Sequence, residues 1–235
     1  MNMIKRQLIL DTETTGINPR DGHRIVEIGC VELINRRFTG NNYHVYINPE
    51  RIIEAEVVRI HGLTNERLKD EPKFRDIAQG FYEYIQGAEL VIHNAPFDVG
   101  FINHEFSLLR SPLPPLEQYC TVLDTLAMAR ELHPGQKNNL DALCRRYDII
   151  NSHRTLHGAL LDAEILADVY LMMTGGQVSL NLANEQDSNQ QHEGELRIQR
   201  SGRLAVIAAS EAELEAHQAR LDLVQKKGGS CLWRD

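Results

Sequence analysis

The chain opens on apolar runs with a period near two. Gln7 to Leu10 is a short apolar run ending at Asp11. Arg24 to Ile34 (RIVEIGCVELI) is rich in β-branched residues and largely alternates, and Tyr43 to Ile47 forms a third such run. This patterning predicts three strands. The Thr39-Gly40-Asn41-Asn42 cluster is a turn signal ahead of the third. Together they are expected to form an antiparallel meander.

The period then lengthens. Helical spacing predicts a helix from about Phe74 to Ile85, and Leu90-Val91-Ile92 reads as a short buried strand ending at His93-Asn94. A helix is expected from Phe97 to Leu109, stopped by Pro112, Pro114 and Pro115. Residues 121–131 and 139–147 are expected to be helical, as is Ala159 to Met173, which Gly175-Gly176 closes. Strands first, then helices alternating with single strands, predict a mixed sheet covered by helices: an α/β fold.

After Gly176 the pattern fails. Asn184 to Glu195 (NEQDSNQQHEGE) holds no large apolar residue, so it cannot bury enough surface to offset its ordering entropy. It reads as a linker. Patterning resumes with Leu204 to Ala208 (LAVIA), an expected strand. Ser210-x-x-Glu213 is a capping-box pattern that opens a helix to about Lys227. Lys226 and Lys227 suit the negative end of that helix, and Gly228-Gly229 stops it. The organisation expected is a main domain over 1–176, a short motif at 177–182, a linker over 183–200 and a C-terminal segment over 201–235.

Bulk composition narrows the class without changing the picture. The chain has 235 residues, 42% hydrophobic and 25% charged, an ordinary globular balance. Its four cysteines, Cys30, Cys120, Cys144 and Cys231, form no C-x-x-C pair. A disulfide framework or structural zinc is therefore not expected, and free thiols fit a reducing cytoplasm. No signal peptide or membrane-spanning run is visible. The net charge of −8 argues against a global positive field for gripping nucleic acid. It leaves room for an enzyme that binds one chain end through local basic contacts.

The candidate chemistry is carboxylate-rich. Asp11 and Glu13 stand two apart at the end of the first predicted strand, so their side chains share a face. Such a pair suits Mg²⁺ or Mn²⁺, although a lone Asp-x-Glu fits a solvated strand end equally. Asp98 falls at a strand-to-helix junction, where an acid also suits a first helical turn. Five helical residues rotate the chain by about 500°, which would put His157 and Asp162 ~140° apart on one helix. Cooperation between them requires His157 to sit on the loop before the helix, beside Gly158. Asp162 is flanked by Leu160, Leu161, Ile165 and Leu166. It is expected at a core-facing edge, where an acid wants a cation.

Taken in order, Asp11-Thr12-Glu13-Thr14-Thr15-Gly16, Asn94-Ala95-Pro96-Phe97-Asp98 and His157-Gly158-Ala159-Leu160-Leu161-Asp162-Ala163 resemble the three motifs of the DEDDh exonuclease superfamily. Arg36 to Asn42, Ile60 to Thr64 and Leu221 to Trp233 extend the resemblance to the proofreading exonuclease subunits of bacterial replicative DNA polymerases. The resemblance implies a ribonuclease H-like fold and a 3′→5′ exonuclease. It implies two divalent ions, Mg²⁺ or Mn²⁺, held by Asp11, Glu13, Asp98 and Asp162. His157 would take the proton of the attacking water, as a group titrating near neutrality can.

By the same resemblance, Thr12, Thr14, Glu56, His61, Asn94 and Phe97 face the terminal nucleotide, with Asp11, Glu13 and Asp162 beside them. Phe97 is as consistent with plain core, and Glu56 with plain surface. The C-terminal segment would dock on the catalytic alpha subunit of the polymerase, and a theta-like third subunit would sit on the main domain. Gln177-Val178-Ser179-Leu180-Asn181-Leu182 resembles a short sliding-clamp-binding motif. Two other readings stay open at this point: a stand-alone ribonuclease of the same superfamily, and a non-catalytic subunit that stabilises a replicase.

Overall fold

The computed structural model describes residues 5–151, 156–175, 209–228 and Trp233. The chain divides into two compact units, Met1–Asn181 and Leu182–Asp235. No described helix is long and apolar enough to cross a membrane. The 177–182 motif, the 183–200 linker, the Leu204–Ala208 strand and Cys231-Leu232 lie outside the described residues.

The first unit is a six-stranded mixed sheet with helices on both faces. Its strands are β1 (Arg6–Thr14), β2 (Ile25–Ile34), β3 (Arg37–Phe38), β4 (Tyr43–Tyr46), β5 (Glu89–Ile92) and β6 (Thr121–Asp124). β1 pairs antiparallel with β2 and parallel with β5, which pairs parallel with β6. β3 and β4 both pair with β2. The expected meander is therefore present, with one extra two-residue strand in it.

The helices of this unit are α1 (Ala55–His61), α2 (Asn65–Leu68), α3 (Phe74–Ile85), α4 (Ala95–Ser107), α5 (Thr125–Leu132), α6 (Leu140–Arg146) and α7 (Ala159–Thr174). Alternation along β1 sends Leu8 and Leu10 to one side, into a core shared with Phe81, Phe101 and Phe106. It sends Ile9 to the other, against Ala163, Leu166 and Tyr170 of α7. Asp11 and Glu13 continue the Ile9 face towards α7.

Two expectations need correction. Residues 121–131 do not form one helix: Thr121–Asp124 is a strand, and α5 starts at Thr125. Val122, Leu123 and Leu126 fall within about 100° of one another on a helix, but residues 121–124 complete the edge of the sheet beside β5. Asp124 ends the strand and caps the helix, accepting from the Leu126 amide at 2.9 Å. The strand carrying Asp11 also does not end there; it runs on to Thr14, paired with β2 alone once β5 stops at Ile92. α1 and α2, seven and four residues long, had no separate signal in the apolar pattern.

In the second unit α8 (Glu211–Gly228) has the predicted start. The Ser210 amide donates to Glu213 Oε2 at 2.8 Å, and the Glu213 amide returns to Ser210 Oγ at 3.4 Å. Leu221 is buried, while Leu214, Val224 and Trp233 are exposed.

Candidate active site

The site forms where the sheet changes character. Open α/β sheets bind ligands beyond the carboxyl ends of strands, where neighbouring connections diverge. Here β1 stands between antiparallel β2 and parallel β5, and its last four residues overhang the end of β5. Asp11, Thr12 and Glu13 lie on that overhang.

Beyond β5 the chain turns sharply. Asn94 adopts a left-handed conformation (φ 67°, ψ 50°), which asparagine tolerates better than most residues. Its amide donates to Asp124 Oδ1 at 3.1 Å. Pro96 then sits in the first turn of α4, where its missing N–H costs nothing. The turn delivers Asp98 into the interior at 3% exposure. Thr12, on the opposite face of β1 from Asp11 and Glu13, donates from Oγ1 to Asp98 Oδ1 at 2.6 Å. Burial nevertheless pushes the Asp98 carboxyl up to about 7, against the pull of the Thr12 hydrogen bond.

α7 closes the third side. It starts directly over β2 because position 29 is glycine: a Cβ there would collide with the backbone of Ala159 and Leu160. The first turn of α7 buries Asp162, whose amide donates to the Gly158 carbonyl at 2.8 Å. His157 lies outside the helix, two residues before its start, as the rotation argument requires. Its amide donates to the Ile60 carbonyl at the end of α1 at 3.1 Å. Its Nδ1 stands 3.4 Å from Asp162 Oδ2. Ligand atoms of Glu13, His157 and Asp162 lie within 4.8 Å of one another.

These elements enclose a cavity of about 270 Å³. Asp11, Glu13, Asp98, His157 and Asp162 all line it, with Thr12 and Phe97. So do His93, Asn139, Leu140, Asp141 and Leu166, which patterning did not single out. Asn139, the N-cap of α6, and Asp141, in its first turn, are carried in by the start of that helix. Only the tertiary path brings that helix start to the site; its Asn-Asn-Leu-Asp pattern marks a cap and nothing more.

Four predicted substrate residues do not line this cavity. Glu56 is exposed on α1, 3.8 Å from Arg59. Thr14 is buried and donates from Oγ1 to the Gly16 carbonyl at 2.6 Å. Asn94 borders a neighbouring groove. His61 is buried, with Nδ1 accepting from the Leu63 amide at 3.0 Å. Its Nε2 therefore carries the proton, and that buried donor has no hydrogen-bond partner among the described residues. Burial first, and the nearby His157 second, push the His61 pKa down and keep the ring neutral.

The donor set consists of hard carboxylate oxygens, which suits a divalent cation. The buried Asp98 reinforces the fit. A carboxyl whose ionisation is opposed by burial is one that a nearby cation returns to its charged form.

A family model described as Exonuclease matches residues 8–170. The chain is 57% identical over 239 residues to the DNA polymerase III subunit epsilon of Salmonella typhimurium, covering 98% of both chains. It is 56% identical to that of Escherichia coli K12, again with 98% of both covered. The chain belongs to the DNA polymerase III epsilon-subunit family of exonucleases. Its main fold resembles a structure of exonuclease X in complex with 5′ overhanging duplex DNA, at 27% identity and a TM-score of 0.56. That match covers 73% of this chain and 92% of the other. The zinc-bound E. coli exonuclease I–single-stranded DNA complex shares the fold alone, at 17% identity and TM-score 0.63 over 74% of this chain and 41% of that one. The reading of the sequence as a proofreading 3′→5′ exonuclease with a mixed, helix-flanked sheet agrees with this family. As an exonuclease the chain is a phosphodiester hydrolase, of a family that generally uses divalent metals.

Proposed function

We propose that this cavity hydrolyses the 3′-terminal linkage of DNA and so proofreads for a DNA polymerase III core. The convergence of Asp11, Glu13, Asp98, His157 and Asp162 on one cavity carries the reading. Asp11, Glu13, Asp98 and Asp162 would hold two divalent ions, Mg²⁺ or Mn²⁺. When bound, such a pair activates the nucleophile and stabilises the charge on the leaving oxygen. His157 accepts the proton of the attacking water; oxygen bonds to phosphorus, the bond from phosphorus to the 3′ oxygen of the preceding sugar breaks, and that oxygen takes up a proton from solvent to become a hydroxyl. The products are a nucleoside 5′-monophosphate and a strand one nucleotide shorter.

Thr12 and Phe97 line the cavity and position the terminal nucleotide. The Phe97 ring packs on Phe101 at 5.0 Å and has its other side for stacking on an unpaired base. His61 Nε2–H, a donor without a partner among the described residues, suits an oxygen of the same nucleotide. Thr14, Asn94 and Glu56 border the path of the strand. Preference for mismatched ends follows from fraying, since an unpaired end costs less to unstack.

The proposed layout is an exonuclease domain over 1–176, a clamp-binding motif at 177–182, a linker over 183–200 and a polymerase-binding segment over 201–235, all working in the cytoplasm. In the last segment, exposed Leu214, Val224 and Trp233 are apolar anchors of the kind that dominate interfaces. The alpha subunit is the proposed partner there, which raises the local concentration of the exonuclease near the growing 3′ end. A theta-like subunit on the exonuclease domain and a transient contact with the sliding clamp complete the proposed set. Co-purification tests the layout. Full-length chain is expected to retain a polymerase III alpha subunit, and a chain ending at Gly176 to lose it while keeping nuclease activity on single-stranded DNA. Equal retention by both would contradict the assignment.

A further inference from the structure

A second groove, of about 570 Å³, adjoins the catalytic cavity. His93 and Asn139 line both, so the two are neighbours across these residues. Their charges differ. Five acids face the cavity, Asp11, Glu13, Asp98, Asp141 and Asp162. Among the described residues no acid lines the groove, and two cations do: Arg130, in the last turn of α5, and Lys137, on the loop to α6. In a chain of net charge −8 this is a local reversal of sign beside the site.

Among the described residues, no ion pair or side-chain hydrogen bond involves Arg130 or Lys137, and both are exposed. The loop beneath Lys137 is nonetheless fixed. Arg146 donates from Nη2 to the Lys137 carbonyl and from Nη1 to Asn138 Oδ1, both at 2.9 Å. Asn138 Nδ2 reaches the His133 carbonyl at 3.3 Å, and Asn139 caps α6 through the Ala142 amide at 2.9 Å. A hydrogen-bonded loop thus presents a cation whose side chain has no ion-pair or hydrogen-bond partner among the described residues. Gln136 and Asn94 add exposed carboxamides along the groove, suited to sugar and base edges.

We infer that this groove is the track of the substrate strand, in which Arg130 and Lys137 hold the phosphodiesters just 5′ of the scissile linkage. The inference rests on the proposed exonuclease reading of the cavity. An acidic cavity repels a polyanion until cations neutralise it, so the chain needs affinity for the strand that does not depend on the catalytic carboxylates. Two phosphate contacts at the cavity rim supply it. They act on every sequence alike, because phosphates position the strand and carry no base information.

The test compares two substrates on the full-length protein with excess Mg²⁺. One is a single-stranded DNA 8-mer; the other is the p-nitrophenyl ester of thymidine 5′-monophosphate, which has no upstream phosphodiester. The double variant Arg130→Ala, Lys137→Ala is expected to raise KM for the 8-mer at least tenfold and to leave kcat and KM for the ester unchanged. The slope of log KM against log salt should also shrink by about 1.4, at ~0.7 per phosphate contact on a single strand. The charge-retaining pair Arg130→Lys, Lys137→Arg should restore most of the affinity. An unchanged KM and salt slope for the 8-mer, or a loss that is equal on the ester, would overturn the inference and leave the exonuclease reading standing. Failure of the unsubstituted protein on both substrates would instead remove that reading itself.

Discussion

Replacing His157 by alanine is expected to lower kcat on single-stranded DNA by about 10²–10⁴-fold, the range of a positioned general base. The same substitution should leave stability within about 0.5 kcal/mol of the unsubstituted protein, as surface changes do. The two expectations come from one geometry. The His157 side chain is half exposed, so its loss removes little packing. Its backbone bond to the Ile60 carbonyl does not need the ring. The ring is nevertheless held against Asp162 at the cavity wall. Activity and melting temperature measured on the same preparation separate the roles. A His157→Ala protein that cleaves at the original rate would remove the proton-acceptor assignment. One that unfolds would make His157 a structural residue.

Asp98→Asn is expected to cost more than about 100-fold in activity, since several kcal/mol of transition-state stabilisation is at stake. Stability should move in the other direction. The amide is isosteric, and its oxygen can still accept from Thr12 Oγ1. The Asp98 carboxyl is raised from its ordinary 3.8 to about 7 by burial. For an acid raised in this way the unfolded chain ionises first. Metal-free stability therefore falls as pH climbs from about 4 to about 7, and the full loss is present above that window. The loss is bounded at about 4 kcal/mol for a shift of this size. In EDTA at pH 8, Asp98→Asn should melt several degrees above the unsubstituted protein. Near pH 4 the difference should disappear. Added Mg²⁺ should stabilise the unsubstituted protein more than the variant, because one ligand is missing. A variant that is both inactive and less stable in EDTA at pH 8 would show that the carboxylate holds the fold.

The long periodic elements were legible because their apolar faces are long enough to register. α3 lies over the residues predicted, and α7 differs by one residue at its end. Asp11 and Glu13 were legible as a pair because a strand repeats every two residues. The place of His157 followed from the rotation of a helix, since inside α7 it could not have met Asp162. Other parts depend on contacts that no local window contains. β6 is four residues long, and its apolar positions fit a helix until β5 lies beside it. Asn139 and Asp141 precede and open a short helix whose sequence gives no sign that it borders the carboxylates. Arg130 and Lys137 carry no sequence signal of their own; they meet in a groove lined by the turn after β5, by α5 and by the loop before α6.

Metal-dependent removal of nucleotides from a 3′ end can be measured directly. The most direct measurement incubates the full-length protein with single-stranded DNA labelled in its 3′-terminal nucleotide, with Mg²⁺ and then with EDTA, and identifies the released product. The predicted result is a labelled nucleoside 5′-monophosphate as the first product, formed with Mg²⁺ and not with EDTA. A label that stays in the oligomer while the 5′ end is shortened, or release unaffected by EDTA, would contradict the account.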